Sequence, residues 1–143
     1  MKLTAAVLLM MSSQVTTAAK LKPFKSDGCS AFPDGTMVEK KLWLNCCYQH
    51  DLAYWQGGSY DQRKQADYTL KQCVAQVGHP KVAQLMLAGV RVGGSPYWPT
   101  QFRWAYGWPY LRGYQETTPS EQQQIELELM RIKNNDIDKS DVE

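Results

Sequence analysis

Several features are scarce or missing in this sequence of 143 residues, and each absence excludes a kind of protein. Four cysteines are too few to hold such a chain together without a hydrophobic core. Neither sign of charge is in large excess, because 16 basic and 14 acidic residues leave a net charge of +2. This balance argues against a protein whose whole surface binds nucleic acid. Internal repeats, strand-like alternating runs and the Gly-x-Ser-x-Gly motif of serine hydrolases are absent. The hydrophobic content of 43% excludes a disordered chain, and we expect one folded domain.

An apolar run stands at the N-terminus, where Lys2 is followed by apolar residues from Leu3 to Met11 and then by small residues at 17–19. This run is too short to span a bilayer and is typical of a secretory signal peptide. We therefore expect residues 1–19 to be removed and the protein to be exported, either to the periplasm or to the medium. Because such compartments are oxidising, the four cysteines are expected to form two disulfides.

Glycine and proline positions predict a mostly α fold without strands. The predicted helices cover residues 39–55, 59–77, 81–92 and 120–133, the last one capped by Ser120. Ser59 is the expected cap of the second helix, with Gln62 completing a capping box. The tight glycine turn before Ser59 makes the first two helices an antiparallel pair.

The C-terminal half of the chain is less regular in sequence. Residues 97–114 carry eight aromatic residues, which would either fill a small core or lie at a lipid interface, and we expect a mixture. Residues 20–118 carry a net charge of +5, so this body would be drawn to anionic phospholipid. Residues 119–143 carry −4 and are expected to form a polar helix with an acidic tail, either solvated or folded over the basic face.

The sequence NCCYQHDLAY in the first predicted helix is the most informative segment. His50 has the chemistry of a general base near neutral pH. Asp51 has no lysine in the same turn and is therefore a candidate ligand for a hard cation. The loop at 26–35 would add the side chain of Asp27 and a backbone turn at Gly28, which suits calcium. The alternative is that His50 is a packed helix residue and Asp51 a solvated one.

The cysteines favour a rigid backbone around this segment. A bond between the adjacent Cys46 and Cys47 would be strained, so each is expected to pair with either Cys29 or Cys73. One bond would then tie the loop to the first helix, and the other would tie the first helix to the second. Structural zinc is the disfavoured alternative, because the adjacent cysteines lack the usual spacing and export disfavours thiolates.

These residues resemble the secreted phospholipase A2 family. CCYQHDLAY has the family's pattern of two adjacent cysteines, two further residues, His-Asp, and a tyrosine three positions after the aspartate. Asp67 and Cys73, six residues apart in the second helix, are similar to another family spacing. The loop SDGCSAFPDG looks most like the calcium loop of the prokaryotic and fungal branch. The resemblance covers residues 26–73, and nothing after Val77 is comparable.

The resemblance implies a secreted, calcium-dependent hydrolase that releases a fatty acid from glycerophospholipid. His50 would take a proton from the water that attacks the ester carbonyl. Asp67 would orient His50 and stabilise its charge, and Tyr54 would donate a hydrogen bond to Asp67. The domain of this type would cover residues 20–118.

The resemblance also implies a calcium site and a disulfide pairing. Calcium would be held by the side chains of Asp27 and Asp51 and by the carbonyl of Gly28. The implied disulfides are Cys29–Cys47 and Cys46–Cys73.

Two positions depart from the animal enzymes. Residues 30–33, Ser-Ala-Phe-Pro, replace their glycine-rich loop, and Ala53 stands where many members have a cysteine. The expected partner is a phospholipid membrane surface or lipid aggregate; nucleic acid is not expected, and no protein partner is implied. The alternative function is a non-catalytic module on the same scaffold that binds lipid or cell envelope through residues 97–114.

Overall fold

The computed structural model describes residues 19–140, with side chains as far as residue 136. The predicted signal peptide lies outside the described residues except for Ala19. Four helices are present: α1 (Leu44–Gln56), α2 (Tyr60–Gln76), α3 (Pro80–Gly93) and α4 (Pro119–Ser140). No strand occurs within residues 19–140, so the mostly α fold class is confirmed. None of the helices in this part of the chain is both long and apolar enough to cross a membrane.

The first two helices are joined as the sequence predicts. Ser59 Oγ accepts a hydrogen bond from the Gln62 amide at 3.2 Å, and Gln62 Oε1 accepts one from the Ser59 amide at 2.7 Å, which completes the capping box. Gly57 and Gly58 both have positive φ, at 72° and 131°, in the turn before it. A side chain at position 58 would in addition collide with the side-chain oxygen of Gln62, which accepts the hydrogen bond from the Ser59 backbone.

The predicted start of the first helix was wrong, because α1 begins at Leu44 rather than at residue 39. The Trp43 amide donates to the carbonyl of Asp34 at 3.1 Å, and its indole Nε1 donates to the carbonyl of Pro33 at 2.6 Å. Trp43 is therefore held by the loop rather than by the preceding helical turn, so residues 39–43 form turns.

The predicted bounds of the last helix were also wrong. Its capping box is formed by Thr118 and Glu121, and Ser120 lies inside the helix. Pro119 occupies a first-turn position, where its missing N–H costs no hydrogen bond. No glycine or proline follows before Ser140, so the helix continues past Lys133 to Ser140.

Two disulfides attach α1 to its neighbours. Cys29 pairs with Cys47 and Cys46 pairs with Cys73, across 18 and 27 residues respectively. This is the pairing that the resemblance implies. Each closed loop contributes about 3 kcal/mol to stability on the chain-entropy model.

The core has two parts, and the aromatic segment is divided between core and surface as expected. Trp55, Trp104 and Trp108 are each at most 2% exposed and form one cluster with α4 residue Ile125. In contrast, Tyr97 and Trp98 are 59% and 56% exposed. A second cluster surrounds the disulfides and contains Trp43, Leu70, Val74 and Met86.

The first half of α4 packs on the body of the protein. Gln124 exchanges hydrogen bonds with the backbone of the N-terminal segment, accepting from the Leu21 amide at 3.0 Å and donating to the Ala19 carbonyl at 3.1 Å. Glu128 Oε1 accepts from the Phe24 amide at 2.9 Å. This part of α4 is thus not a solvated appendage.

Candidate active site

The antiparallel pair of α1 and α2 brings His50 and Asp67 into contact. His50 Nε2 lies 3.0 Å from Asp67 Oδ1, and the two residues are 9% and 0% exposed. The Cys46–Cys73 disulfide joins the same two helices beside this contact. In the tautomer that donates from Nε2 to Asp67, the Nδ1 lone pair of His50 is free to accept a proton.

Tyr54 supports the same carboxylate. Its hydroxyl donates to Asp67 Oδ1 at 2.7 Å. Burial raises the pKa of Tyr54, and the negative charge of Asp67 raises it further, so the hydroxyl stays protonated and acts as a donor. The structure therefore brings together the three residues proposed from the sequence as catalytic.

Two arginines that the motif analysis missed complete this cluster. Arg91 Nε lies 2.8 Å from Asp67 Oδ2, but its N–H is not aligned with that oxygen, so the contact is an ion pair without a hydrogen bond. Arg63 is buried and donates from Nε to the Tyr54 hydroxyl at 3.1 Å and from Nη1 to the Tyr114 hydroxyl at 2.6 Å. Arg63 thus leaves the Tyr54 proton free to point at Asp67.

Sequence spacing contained a signal for only one of these arginines. Arg63 precedes Asp67 by four residues, which places both on one face of α2. Arg91 lies in the last turn of α3, in a part of the chain without a recognisable motif. Its proximity to Asp67 depends on how α3 packs against α2.

An apolar cavity of about 400 Å³ opens onto the His50 ring. It is enclosed by loop residues 28–32, by His50, Asp51 and Tyr54, and by apolar side chains of Leu70, Leu85, Met86, Val90 and Phe102. Leu85 and Phe102 are 61% and 37% exposed and mark its mouth. The volume is in the range of small-molecule sites, and the lining suits a hydrocarbon chain.

The loop before α1 is held against Asp51. Ser26 Oγ donates to Asp51 Oδ2 at 2.6 Å, and the Cys29 amide donates to Asp34 Oδ1 at 2.9 Å. Gly28 has φ of +74°, and a Cβ there would lie 2.5 Å from Asp34 Oδ1. Glycine is thus required at this turn by both conformation and space.

The electrostatic surroundings of Asp51 suit a cation. Burial raises the pKa of this carboxyl to about 7, and the charges of Asp27 and Asp34 add to the effect, while the Ser26 hydroxyl opposes it. In the described part of the chain no lysine or arginine lies within ion-pair distance of Asp51. A hard cation would offset this desolvated charge.

The donor set at this position consists of oxygen atoms. Among residues 19–140, no three His, Cys, Asp or Glu side chains are grouped closely enough to share a metal ion. Calcium uses six to eight oxygens and accepts backbone carbonyls and water among them. The side chains of Asp27 and Asp51 and the backbone carbonyl of Gly28 are oxygen donors of the kind that calcium accepts.

No family model, curated protein or solved structure matches this chain.

Proposed function

We propose that the protein is an exported, calcium-dependent phospholipid hydrolase of the phospholipase A2 type. It would release a fatty acid from glycerophospholipid. The observation that carries this proposal is the buried contact of 3.0 Å between His50 Nε2 and Asp67 Oδ1 at the wall of an apolar cavity. A general base beside a site for a hydrocarbon chain is the arrangement that lipid ester hydrolysis needs.

The two ring nitrogens of His50 would have different roles in the reaction. A water molecule attacks the ester carbonyl carbon while its proton passes to Nδ1 of His50. The resulting imidazolium is stabilised by the Asp67 carboxylate, which Tyr54 and Arg91 keep in place. The C–O bond then breaks, and the proton passes from His50 to the leaving alkoxide. The products are a fatty acid and a lysophospholipid.

The calcium site would be provided by this chain's own oxygens. Asp51 and Asp27 would contribute carboxylates, and Gly28 would contribute its carbonyl. When bound there, calcium supplies electrostatic stabilisation for negative charge on the ester oxygen.

The apolar cavity would receive the acyl chain. Leu70, Met86 and Val90 line it, and Leu85 and Phe102 flank its mouth. Each methylene transferred from water into such surroundings contributes about 0.8 kcal/mol. The chain therefore helps to hold the ester beside His50.

The test is fatty-acid release from phospholipid vesicles by the wild-type protein and by two matched variants. His50→Gln should reduce release by more than 10³-fold, since it removes the base. His79→Gln changes the other histidine of the chain, which packs on Trp43 outside the site, and should keep near wild-type rates. Equal activity of the two variants would reject the mechanism.

A second candidate function rests on the exposed part of the aromatic segment. Tyr97, Trp98 and Leu111 are between 56% and 65% exposed and are of the types that favour a membrane interface. A non-catalytic lipid- or envelope-binding module would use this surface without turnover. Vesicle co-sedimentation that is unaffected by His50→Gln, together with no release of fatty acid, would favour this function.

A further inference from the structure

A second cavity lies next to the calcium loop and differs in character from the apolar one. Its volume is about 680 Å³, and Asp51 lines both cavities. Three cations contribute to its wall: Lys22, Lys25 and Arg103. We refer to it as the basic cavity. The loop and Asp51 thus separate a hydrocarbon-lined space from a space lined with positive charge.

Arg103 is the most informative residue in the basic cavity. It is only 5% exposed, and in the described chain it donates one hydrogen bond, from Nη2 to the Trp108 carbonyl at 2.8 Å. Its guanidinium lies over the Tyr110 ring at 5.5 Å. No carboxylate among the described residues is within ion-pair distance of it. The other N–H groups of this guanidinium have no partner among the described residues and are free to bind an anion that enters the cavity.

Other polar groups of the cavity are compatible with the same partner. Thr100 Oγ1 is buried and has no hydrogen-bond partner among residues 19–140. Lys22 and Lys25 are exposed and add long, movable cations. Each of these groups is a donor of the kind that binds phosphate.

Two carboxylates also line this cavity, those of Asp27 and Asp51. The three cations outnumber them. The two carboxylates are the same side chains assigned above to calcium, so their charge would be offset when the metal is bound. An anion in the cavity therefore faces the cations.

We propose that the basic cavity binds the phosphodiester of an anionic glycerophospholipid headgroup, with Arg103 as its main contact. This inference rests on the proposed function, since it places the headgroup and the acyl chain in the two cavities that share Asp51. The ammonium group of a zwitterionic headgroup would face the same three cations, so the substrate class is an anionic lipid of the phosphatidylglycerol type. The shared chemistry is a phosphate ester, which a free soluble phosphodiester also carries.

The first test is internal competition in vesicles that contain equal amounts of phosphatidylglycerol and phosphatidylcholine. Both lipids share one surface, so the ratio of the two lysolipid products, measured by mass spectrometry, is independent of how well the protein binds vesicles. The wild-type ratio should favour the anionic lipid by about tenfold, because the cations of the cavity attract the phosphate of both lipids but repel the choline group of phosphatidylcholine. Arg103→Met should lower this ratio clearly towards one, the two lysines keeping the remainder, and Arg103→Lys should restore part of the loss.

A second pair of variants keeps the test valid if Arg103→Met does not fold. Lys22→Gln/Lys25→Gln removes two exposed cations of the cavity, and Lys40→Gln/Lys41→Gln removes two exposed cations elsewhere. Only the first pair should lower the product ratio. An equal fall in both pairs, or no change in either pair and in Arg103→Met, would overturn the proposal.

Calorimetric binding to His50→Gln protein separates this proposal from the proposed function. The probes are glycerophosphoglycerol, inorganic phosphate and phosphatidylglycerol vesicles. Headgroup binding that Arg103→Met weakens supports the cavity even if the wild-type protein hydrolyses no lipid, an outcome that would reject only the enzyme. Binding of inorganic phosphate as tight as that of the headgroup probe would show a general phosphate site and overturn the lipid assignment. No binding of any probe, with no lipid preference, would also overturn it.

Discussion

Replacing Tyr54 with phenylalanine tests how the carboxylate of the dyad is held. The substitution removes one oxygen, which donates to Asp67 Oδ1 at 2.7 Å and accepts from Arg63 Nε at 3.1 Å. Hydrogen bonds to charged groups contribute about 1.5–3 kcal/mol each, and breaking one leaves the buried partner unsatisfied. Arg63 keeps three other acceptors, the Tyr114 hydroxyl and two backbone carbonyls, so its loss is partial. We expect Tyr54→Phe to lower the free energy of unfolding by about 2–4 kcal/mol.

The effect on the rate should be smaller than that of removing the base. Asp67 keeps its contacts with His50 and Arg91 in the variant, so the imidazole stays oriented. We expect kcat to fall about tenfold, compared with more than 10³-fold for His50→Gln. Denaturant unfolding with the disulfides intact and initial rates of fatty-acid release measure the two quantities.

The matched control is Tyr60→Phe. Tyr60 also lies on the α1–α2 pair, is 51% exposed and has no hydroxyl hydrogen bond within the described residues. Both stability and rate should stay near wild type in this control. If Tyr54→Phe were as stable and as active as Tyr60→Phe, the bond to Asp67 would contribute nothing and the argument for a supported dyad would be refuted.

Three further substitutions test other parts of the account. Asp51→Asn should raise the melting temperature in chelator, because it removes a buried charge beside two carboxylates. The same substitution should abolish the gain in melting temperature that calcium gives the wild-type protein. A calcium effect as large as in wild type would contradict the proposed calcium site. Hydrogen bonds from Arg112 lower the pKa of Glu121 to about 2. Their contribution to the free energy of unfolding is therefore complete above the ordinary pKa near 4.5 and is lost as the pH falls towards 2. Unfolding measured at several pH values should show a loss of up to about 3 kcal/mol in the wild-type protein and none in Glu121→Gln. Gly28→Ala should destabilise more than Gly78→Ala, since both have positive φ but only Gly28 faces a carboxylate oxygen at 2.5 Å; equal thermal shifts would contradict that contact.

Local features of the fold could be predicted from the sequence because they depend on neighbouring residues. The Ser59–Gln62 capping box lies within four residues, and the turn before it needs glycines. Helical spacing places Cys46 beside His50 on one face. The pairing of the cysteines came instead from the motif resemblance.

The parts that were missed depend on contacts between distant segments. Trp43 lies outside α1 because it donates hydrogen bonds to two carbonyls of the preceding loop. Helix propensity scales do not include hydrogen bonds to such distant groups. Arg91 reaches Asp67 from α3, and Gln124 reaches back more than a hundred residues to Leu21. These contacts arise only from tertiary packing.

The two cavities were missed for the same reason. Phe102 and Leu85 both belong to the apolar cavity although they come from different elements. Lys22 and Arg103 are about eighty positions apart in the chain and line the basic cavity together. Residues 97–114 therefore line parts of both cavities, an arrangement that their irregular sequence does not indicate.

The most direct measurement is fatty-acid release from mixed phospholipid vesicles by the purified, oxidised protein, once with calcium and once with chelator. We expect fatty-acid release that requires calcium and yields one fatty acid and one lysophospholipid per turnover. Release that continues unchanged in chelator would contradict the role assigned to Asp27, Gly28 and Asp51. No release in either condition, from folded protein with both disulfides formed, would contradict the central claim that His50 and Asp67 hydrolyse lipid esters.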